Sequence, residues 1–284
     1  LTAGASTVLL ESAPPPELVQ AINQYQATVC ATAPTAYRAM LRCMGNLALP
    51  NLRKCISAGE HLPLETFIHW REKTGISIIN GLGTTEMLHM FTGADGEDIR
   101  PGATGKALPG YEIRVLGTNN APLPPGKPGR LAVRGPTGCK YLADARQREY
   151  VINGWNVTGD ICSLDTEGYV WYQSRADDMI VSAGYNISGP EVEQALLPHP
   201  AVLECAVVAA PDAERGHIVK AFIVPAPGYT AGPELTRTLQ ELVKGSIAPY
   251  KYPRLIEYVD ALPKTYTGKL QRNVLRARAA ESNH

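Results

Sequence analysis

The chain has no net charge. Its 27 basic and 27 acidic residues balance, which removes bulk electrostatics as a route to nucleic acid or an anionic membrane surface. Long apolar runs are absent too: stretches such as Ala206 to Ala210 are far too short to cross a bilayer. The opening residues show no basic region followed by an apolar stretch and a small-residue cleavage site, so a secretory signal is not read there. The six cysteines (Cys30, Cys43, Cys55, Cys139, Cys162 and Cys205) form no close pairs, and the six histidines fall at no metal-ligand spacing. Scattered cysteines in a chain of this size fit a reducing compartment and small core side chains better than a disulfide framework or a zinc site. A cytoplasmic protein is the expectation. No internal repeat or low-complexity segment is visible.

What is present is length. With 284 residues there is enough chain for two domains, each burying a core of its own. Residues 1–100 alternate strand and helix patterns. Strands are expected over Thr7 to Leu10, Thr28 to Ala31, Arg53 to Ser57 and Ile76 to Asn80. Helices are expected from the Pro14–Pro15–Pro16 run (with Leu18, Ile22 and Tyr25 on one face), over Thr35 to Met44, and over Leu64 to Thr74. Such alternation predicts a parallel sheet flanked by helices, with Gly75 closing the third helix. Residues 101–174 change texture. Short strands at Glu112 to Leu116, Arg130 to Arg134 and Tyr169 to Tyr172, separated by glycine and proline turns, predict a small antiparallel, barrel-like subdomain. From 175 to 284 an α+β domain is expected, with helices at Pro190 to Leu197 and Pro233 to Ser246 and strands at Val202 to Ala209 and Ile218 to Val224.

Chemistry-bearing residues gather in loops after expected strands, where ligands of open α/β sheets bind. Ser57-Ala58-Gly59-Glu60 is one such loop, and Gly81-Leu82-Gly83-Thr84-Thr85-Glu86 is the next. Glycine lets backbone approach a ligand, threonines offer donors to a phosphate, and a glutamate suits a magnesium ion. Further on come Thr158-Gly159-Asp160, read as an acidic residue after a tight turn, Ser174-Arg175-Ala176-Asp177, Ala183-Gly184-Tyr185, and Thr267-Gly268-Lys269. Each alone is ordinary loop chemistry: a glycine turn, a Gly-Asp surface turn, a solvated lysine.

Their order changes that. The set resembles the acyl-activating family of acyl-CoA synthetases, luciferases and peptide-synthetase adenylation domains. Leu82 to Glu86 looks like its Tyr-Gly-x-Thr-Glu motif, Thr158 to Asp160 matches Thr-Gly-Asp, Ser174 to Asp177 looks like its Gly-Arg-x-Asp hinge, and Thr267 to Lys269 matches Thr-Gly-Lys. The resemblance implies ATP, Mg2+ and CoA as cofactors and a small carboxylic acid as partner, and it is compatible with a homodimer. Gly59, Glu60 and His61 would line adenine; Thr85 would contact phosphate, Glu86 the magnesium, and Asp160 and Arg175 the ribose. Asp177 would be the hinge of a mobile carboxyl-terminal domain. Ala183, Gly184, Tyr185, Tyr252, Pro253 and Arg254 would face CoA, and Lys269 would reach the substrate carboxylate and α-phosphate.

Leu82 and Ser174 depart from the family's tyrosine and glycine. No Thr-Ser-Gly-type phosphate loop and no Walker sequence occurs. The expectation is therefore an amino-terminally truncated ligase that, as given, does not form acyl-AMP at its parent's rate. The stretch from Thr85 to Phe91 resembles benzoate- and 2-aminobenzoate-type ligases, with His89 beside the aryl carboxylate and Ala58, Gly81 and Gly83 leaving room for a flat ring. The alternatives are a packed helix start over Leu88 to Met90, a medium-chain fatty acid as substrate, an inactive nucleotide- or CoA-binding chain, and a carrier protein as acceptor in place of CoA.

Overall fold

The computed structural model describes residues 4–11, 14–45, 47–265 and 268–281. Three strands, β1 (Val29–Thr32), β2 (Lys54–Ser57) and β3 (Ile78–Asn80), form a parallel sheet in that order. Helices α1 (Pro15–Gln24), α2 (Pro34–Cys43) and α3 (Leu64–Thr74) are interleaved with them. Prolines open α1 and α2, where a missing amide costs nothing. Gly75 ends α3 at φ 74°, the left-handed conformation that glycine adopts without strain. The core holds Tyr37, Met40, Trp70 and Ile78. The Tyr37 hydroxyl, 3.0 Å from the carbonyls of both Cys30 and Ile56, ties α2 to two strands.

Thr32, Ser57 and Asn80 are mutual register partners. The carboxyl ends of the sheet are therefore level, and the loops after β2 and β3 emerge side by side.

Two expectations fail here. Thr7 to Leu10 is no strand: among the described residues it pairs with nothing in the sheet, and Val8, Leu9 and Leu10 are exposed. A β pattern without a neighbour leaves its backbone groups unpaired and cannot hold a ladder. Tyr25 is not on the buried face of α1, which consists of Val19, Ala21 and Ile22. The helix stops at Gln24, and the chain turns through Gln26 at φ 51°.

The antiparallel body is built from β4 (Glu112–Leu116), β5 (Gly129–Arg134), β6 (Trp155–Leu164) and β7 (Val170–Arg175), in the order β7-β6-β5-β4, with a short fifth strand (Val151–Ile152) against β6. Thr158-Gly159-Asp160 lies inside the ten-residue strand β6 and not after a turn. Gly159 at φ 78° sits where the register with β5 slips, as at a β-bulge. Asp160 is buried instead of on the surface.

Beyond Arg175 a hairpin, β8 (Ile180–Ser182) and β9 (Tyr185–Ile187), leads to α4 (Gly189–Leu196), capped by Ser188. The long hairpin β10 (Val202–Asp212) and β11 (Gly216–Pro225) follows, with β12 (Leu255–Tyr258) added in parallel. Helices α5 (Pro233–Ser246) and α6 (Arg272–Glu281) complete it. Alternation along β10 and β11 sends Val207, Val219 and Ile223 to the core with α4 and α5, and Ala206, Phe222 and Val224 to the core with α6. Among the described residues no helix is long and apolar enough to cross a membrane.

Candidate functional site

A cavity of about 1180 Å³ opens where the level ends of the parallel sheet meet β6, β7, α4 and the start of α6. It collects most of the sequence-predicted residues: Ala58, Gly59, Glu60 and His61 from the loop after β2, and Gly81 to Glu86 with His89 from the segment after β3. Asp160, Arg175, Asp177 and Lys269 also line it.

Lys269 enters from the far end of the chain. A Cβ built on Gly59 would stand 3.2 Å from its Cε and 3.4 Å from its Nζ, so the lysine lies across this glycine. Its loop is fixed at both ends. The Lys269 amide donates to the Thr265 hydroxyl (3.1 Å), and the Leu270 amide donates to the Glu60 carboxylate (3.2 Å). Thr267, expected in the same motif, lies outside the described residues.

Glu86 lies in a helical turn, Thr85–Met87, whose end is tied back by the Met87 amide to the Thr84 hydroxyl. Burial pushes its carboxyl pKa up. Hydrogen bonds from Tyr141 (2.7 Å), from its own amide and from Thr84, together with the Arg175 charge, outweigh this and hold it below the usual glutamate range. Among the described residues no cluster of three or more His, Cys, Asp or Glu could cage a metal. A single ionised carboxylate fits Mg2+ instead, which commonly takes one or two protein oxygens and completes its shell with substrate phosphates and water.

Arg175 donates to Asp160 (3.2 Å) and to the Thr158 carbonyl (2.9 Å). A Cβ on Gly159 would stand 2.9 Å from its guanidinium, so the bulge glycine makes room for the pair. Burial raises the Asp160 pKa, and the Arg175 charge pulls it partly back.

His61 stacks on Tyr172 (5.6 Å between centroids, 22° between planes) and meets the Gln194 amide of α4. Burial drives its pKa down to about 4; Glu193 raises it and Arg272 lowers it. Because the folded value lies below the unfolded one, protons bind the unfolded chain first as pH falls below about 6.5. Stability is then lost progressively toward pH 4. Between pH 7 and 5 the loss from this group is about 1.5–2 kcal/mol. Urea unfolding at the two pH values, compared with His61→Gln, checks it: the variant is expected to lose that part of the slope.

Gly81 and Gly83 have a different reason than room for a ring. A Cβ on Gly81 would meet Met90 Sδ at 2.3 Å, and one on Gly83 would meet the His89 carbonyl at 2.5 Å. Gly81 permits close approach of the Met90 side chain and Gly83 that of the His89–Met90 backbone across the Gly83–Met90 bridge. Leu88 to Met90 is no helix start, since Leu88 has φ 69° and is exposed. The His89 ring meets Tyr111 edge-on at 5.9 Å, and the Tyr111 hydroxyl bonds Thr137 at 2.7 Å.

The residues expected at CoA do not line this cavity. Ala183 (φ 47°) and Gly184 (φ 83°) form the tip of the β8–β9 hairpin. Tyr185 stacks on Tyr250 at 4.5 Å, Arg254 donates to the Tyr252 hydroxyl at 2.8 Å, and Pro253 is joined to α5 through Gln240. Sequence reasoning missed Tyr141, Tyr172 and Arg272 on the cavity wall. Arg272 pairs with Glu193 (2.8 Å) and with the Val207 carbonyl (3.1 Å), anchoring α6 beside the lysine loop.

Two family models match: AMP-binding enzyme over residues 1–141 and AMP-binding enzyme C-terminal domain over 191–269. The chain belongs to the AMP-binding enzyme family. The human mitochondrial acyl-coenzyme A synthetase ACSM4 is 43% identical over 265 residues, covering 90% of this chain and 46% of the relative. The benzoate–CoA ligase of Thauera aromatica is 40% identical, covering 98% of this chain and 54% of the relative. The crystal structure of the anthranilate CoA ligase AuaEII in complex with anthranoyl-AMP superposes with a TM-score of 0.92 at 38% identity, over 99% of this chain and 55% of that one. This family chain thus spans about half the length of the relatives it matches.

Proposed function

We propose that the chain belongs to an AMP-forming carboxylate–CoA ligase acting on an aromatic acid of benzoate or 2-aminobenzoate size. The observation that carries this is Lys269 lying across Gly59 in the cavity that also holds Glu86, Asp160 and Arg175. In this reading residues 1–174 complete the adenylation core and 175–284 form the smaller domain. A substrate carboxylate oxygen attacks the α-phosphorus of ATP, and pyrophosphate leaves. The CoA sulfur then attacks the acyl carbon, losing its proton, and AMP leaves. Lys269 neutralises charge that develops on the α-phosphate and carboxylate in the first step, as a preorganised cation does best. Asp160, flanked by Arg175, accepts hydrogen bonds from ribose hydroxyls, and the loop from Gly59 to His61 packs the adenine. Glu86 would hold Mg2+, which would supply charge neutralisation to the nucleotide when bound.

The aromatic assignment rests on His89, set on the cavity wall and backed by Tyr111, and on the likeness to the anthranilate and benzoate ligases. A medium-chain fatty acid is the second reading, in keeping with the 43% identity to a relative named as an acyl-coenzyme A synthetase. With the full-length protein, kcat/KM for benzoate or 2-aminobenzoate is expected to exceed that for octanoate by about tenfold or more. This is the scale of one hydrogen bond from the His89 ring to the acid, which an apolar chain cannot make. Octanoate winning at matched concentration would overturn the aromatic reading and return His89 to a packing role.

A further inference from the structure

We infer that Tyr141 is a positioning residue for the Glu86 carboxylate, an inference that rests on the metal role proposed above. The two residues come from segments far apart in sequence, and the Tyr141 hydroxyl donates to Glu86 Oε1 at 2.7 Å. A glutamate has several rotatable bonds and, unrestrained at a cavity wall, samples many orientations. Fixing one carboxylate oxygen by a charge-assisted bond orients the other.

The tyrosine is itself braced from several sides, none involving Glu86. Its amide donates to the Gln147 side chain at 2.7 Å. Its ring meets Tyr150 edge-on, with centroids 5.6 Å apart at 71°. The Arg146 guanidinium covers the ring at 4.9 Å and is held in turn by Asp144 through bonds of 2.9 and 2.6 Å. Tyr150, Arg146 and Tyr141 all line the cavity. The strap from Tyr141 to Tyr150 is thus a self-supported arm that presents one hydroxyl to the proposed metal ligand. Outer partners of a metal ligand characteristically govern affinity by tenfold or more.

The test is Mn2+ binding to the full-length protein, followed by electron paramagnetic resonance in the presence of a non-hydrolysable ATP analogue. Tyr141→Phe, Glu86→Gln and the double variant are compared. The phenylalanine keeps the ring packed on Tyr150, and thermal melting verifies the fold. Tyr141→Phe is expected to weaken Mn2+ about tenfold, and to weaken it no further when Glu86→Gln is already present. Unchanged Mn2+ affinity in Tyr141→Phe, with Glu86→Gln impaired, would overturn the positioning role. So would independent, additive losses in the double variant, which would assign Tyr141 to another task. If Glu86→Gln alone leaves Mn2+ binding intact, the failure lies in the metal assignment itself, and the inference falls with it.

Discussion

Lys269→Ala in the full-length protein is expected to slow acyl-AMP formation by at least about two orders of magnitude while largely sparing thioester formation from supplied acyl-AMP. The lysine crosses Gly59, and its loop is fixed by Thr265 and by Glu60 from the opposite body of the protein. The cation is therefore in place before charge develops. Losing a preorganised contact of this kind costs on the order of 3 kcal/mol in the step it serves. Cavity anchors such as Arg272 and Glu193 do not depend on the lysine side chain, so the fold should survive. ATP–pyrophosphate exchange and a thiol-capture assay with synthetic acyl-AMP separate the steps. Equal losses in both would make Lys269 a structural residue.

Gly184→Leu should fail in the other half-reaction. A Cβ at Gly184 meets nothing within 4 Å, so the hairpin tip has open space for the start of a side chain in the arrangement that holds Lys269 in the cavity. The φ of 83° costs about 1–2 kcal/mol of backbone strain in any L-residue with a side chain. A modest fall in melting temperature is expected, with adenylation surviving. Thioester formation should drop about a hundredfold or more, because the resemblance to the acyl-activating family implies a turn about Asp177 that brings this hairpin to the path of the thiol. Loss of adenylation to the same extent would place Gly184 in general folding.

Much of this was legible in the sequence because the site hangs on strand ends. The patterns of β2 and β3 predicted loops at Ala58 and Gly81, and sheet register then made them neighbours. Helix signals also worked: α3 ends at Gly75, and α5 runs from Pro233 to Ser246, as read. Thr158 to Asp160 was misplaced because a glycine inside a strand, at a bulge, has the same local composition as a turn. The Thr7 to Leu10 pattern had the residues of a strand without a neighbour to pair with. Short strands such as Leu255–Tyr258 gave no alternation long enough to read, and α6 buries only Leu275 and Ala279, too narrow a stripe for a helical period. Tyr141 was missed because nothing local marks it. Its importance exists only across the contact with Glu86, 55 residues earlier.

In the proposed reading one cavity is served in turn by two faces of the carboxyl-terminal region, Lys269 for adenylation and the Gly184 hairpin for thioester formation. The most direct measurement is both half-reactions, side by side, in Lys269→Ala and Gly184→Leu. A crossed pattern is predicted, with each variant defective in one step and near wild type in the other. If both variants lose both steps alike, the two faces do not alternate and the claim is contradicted.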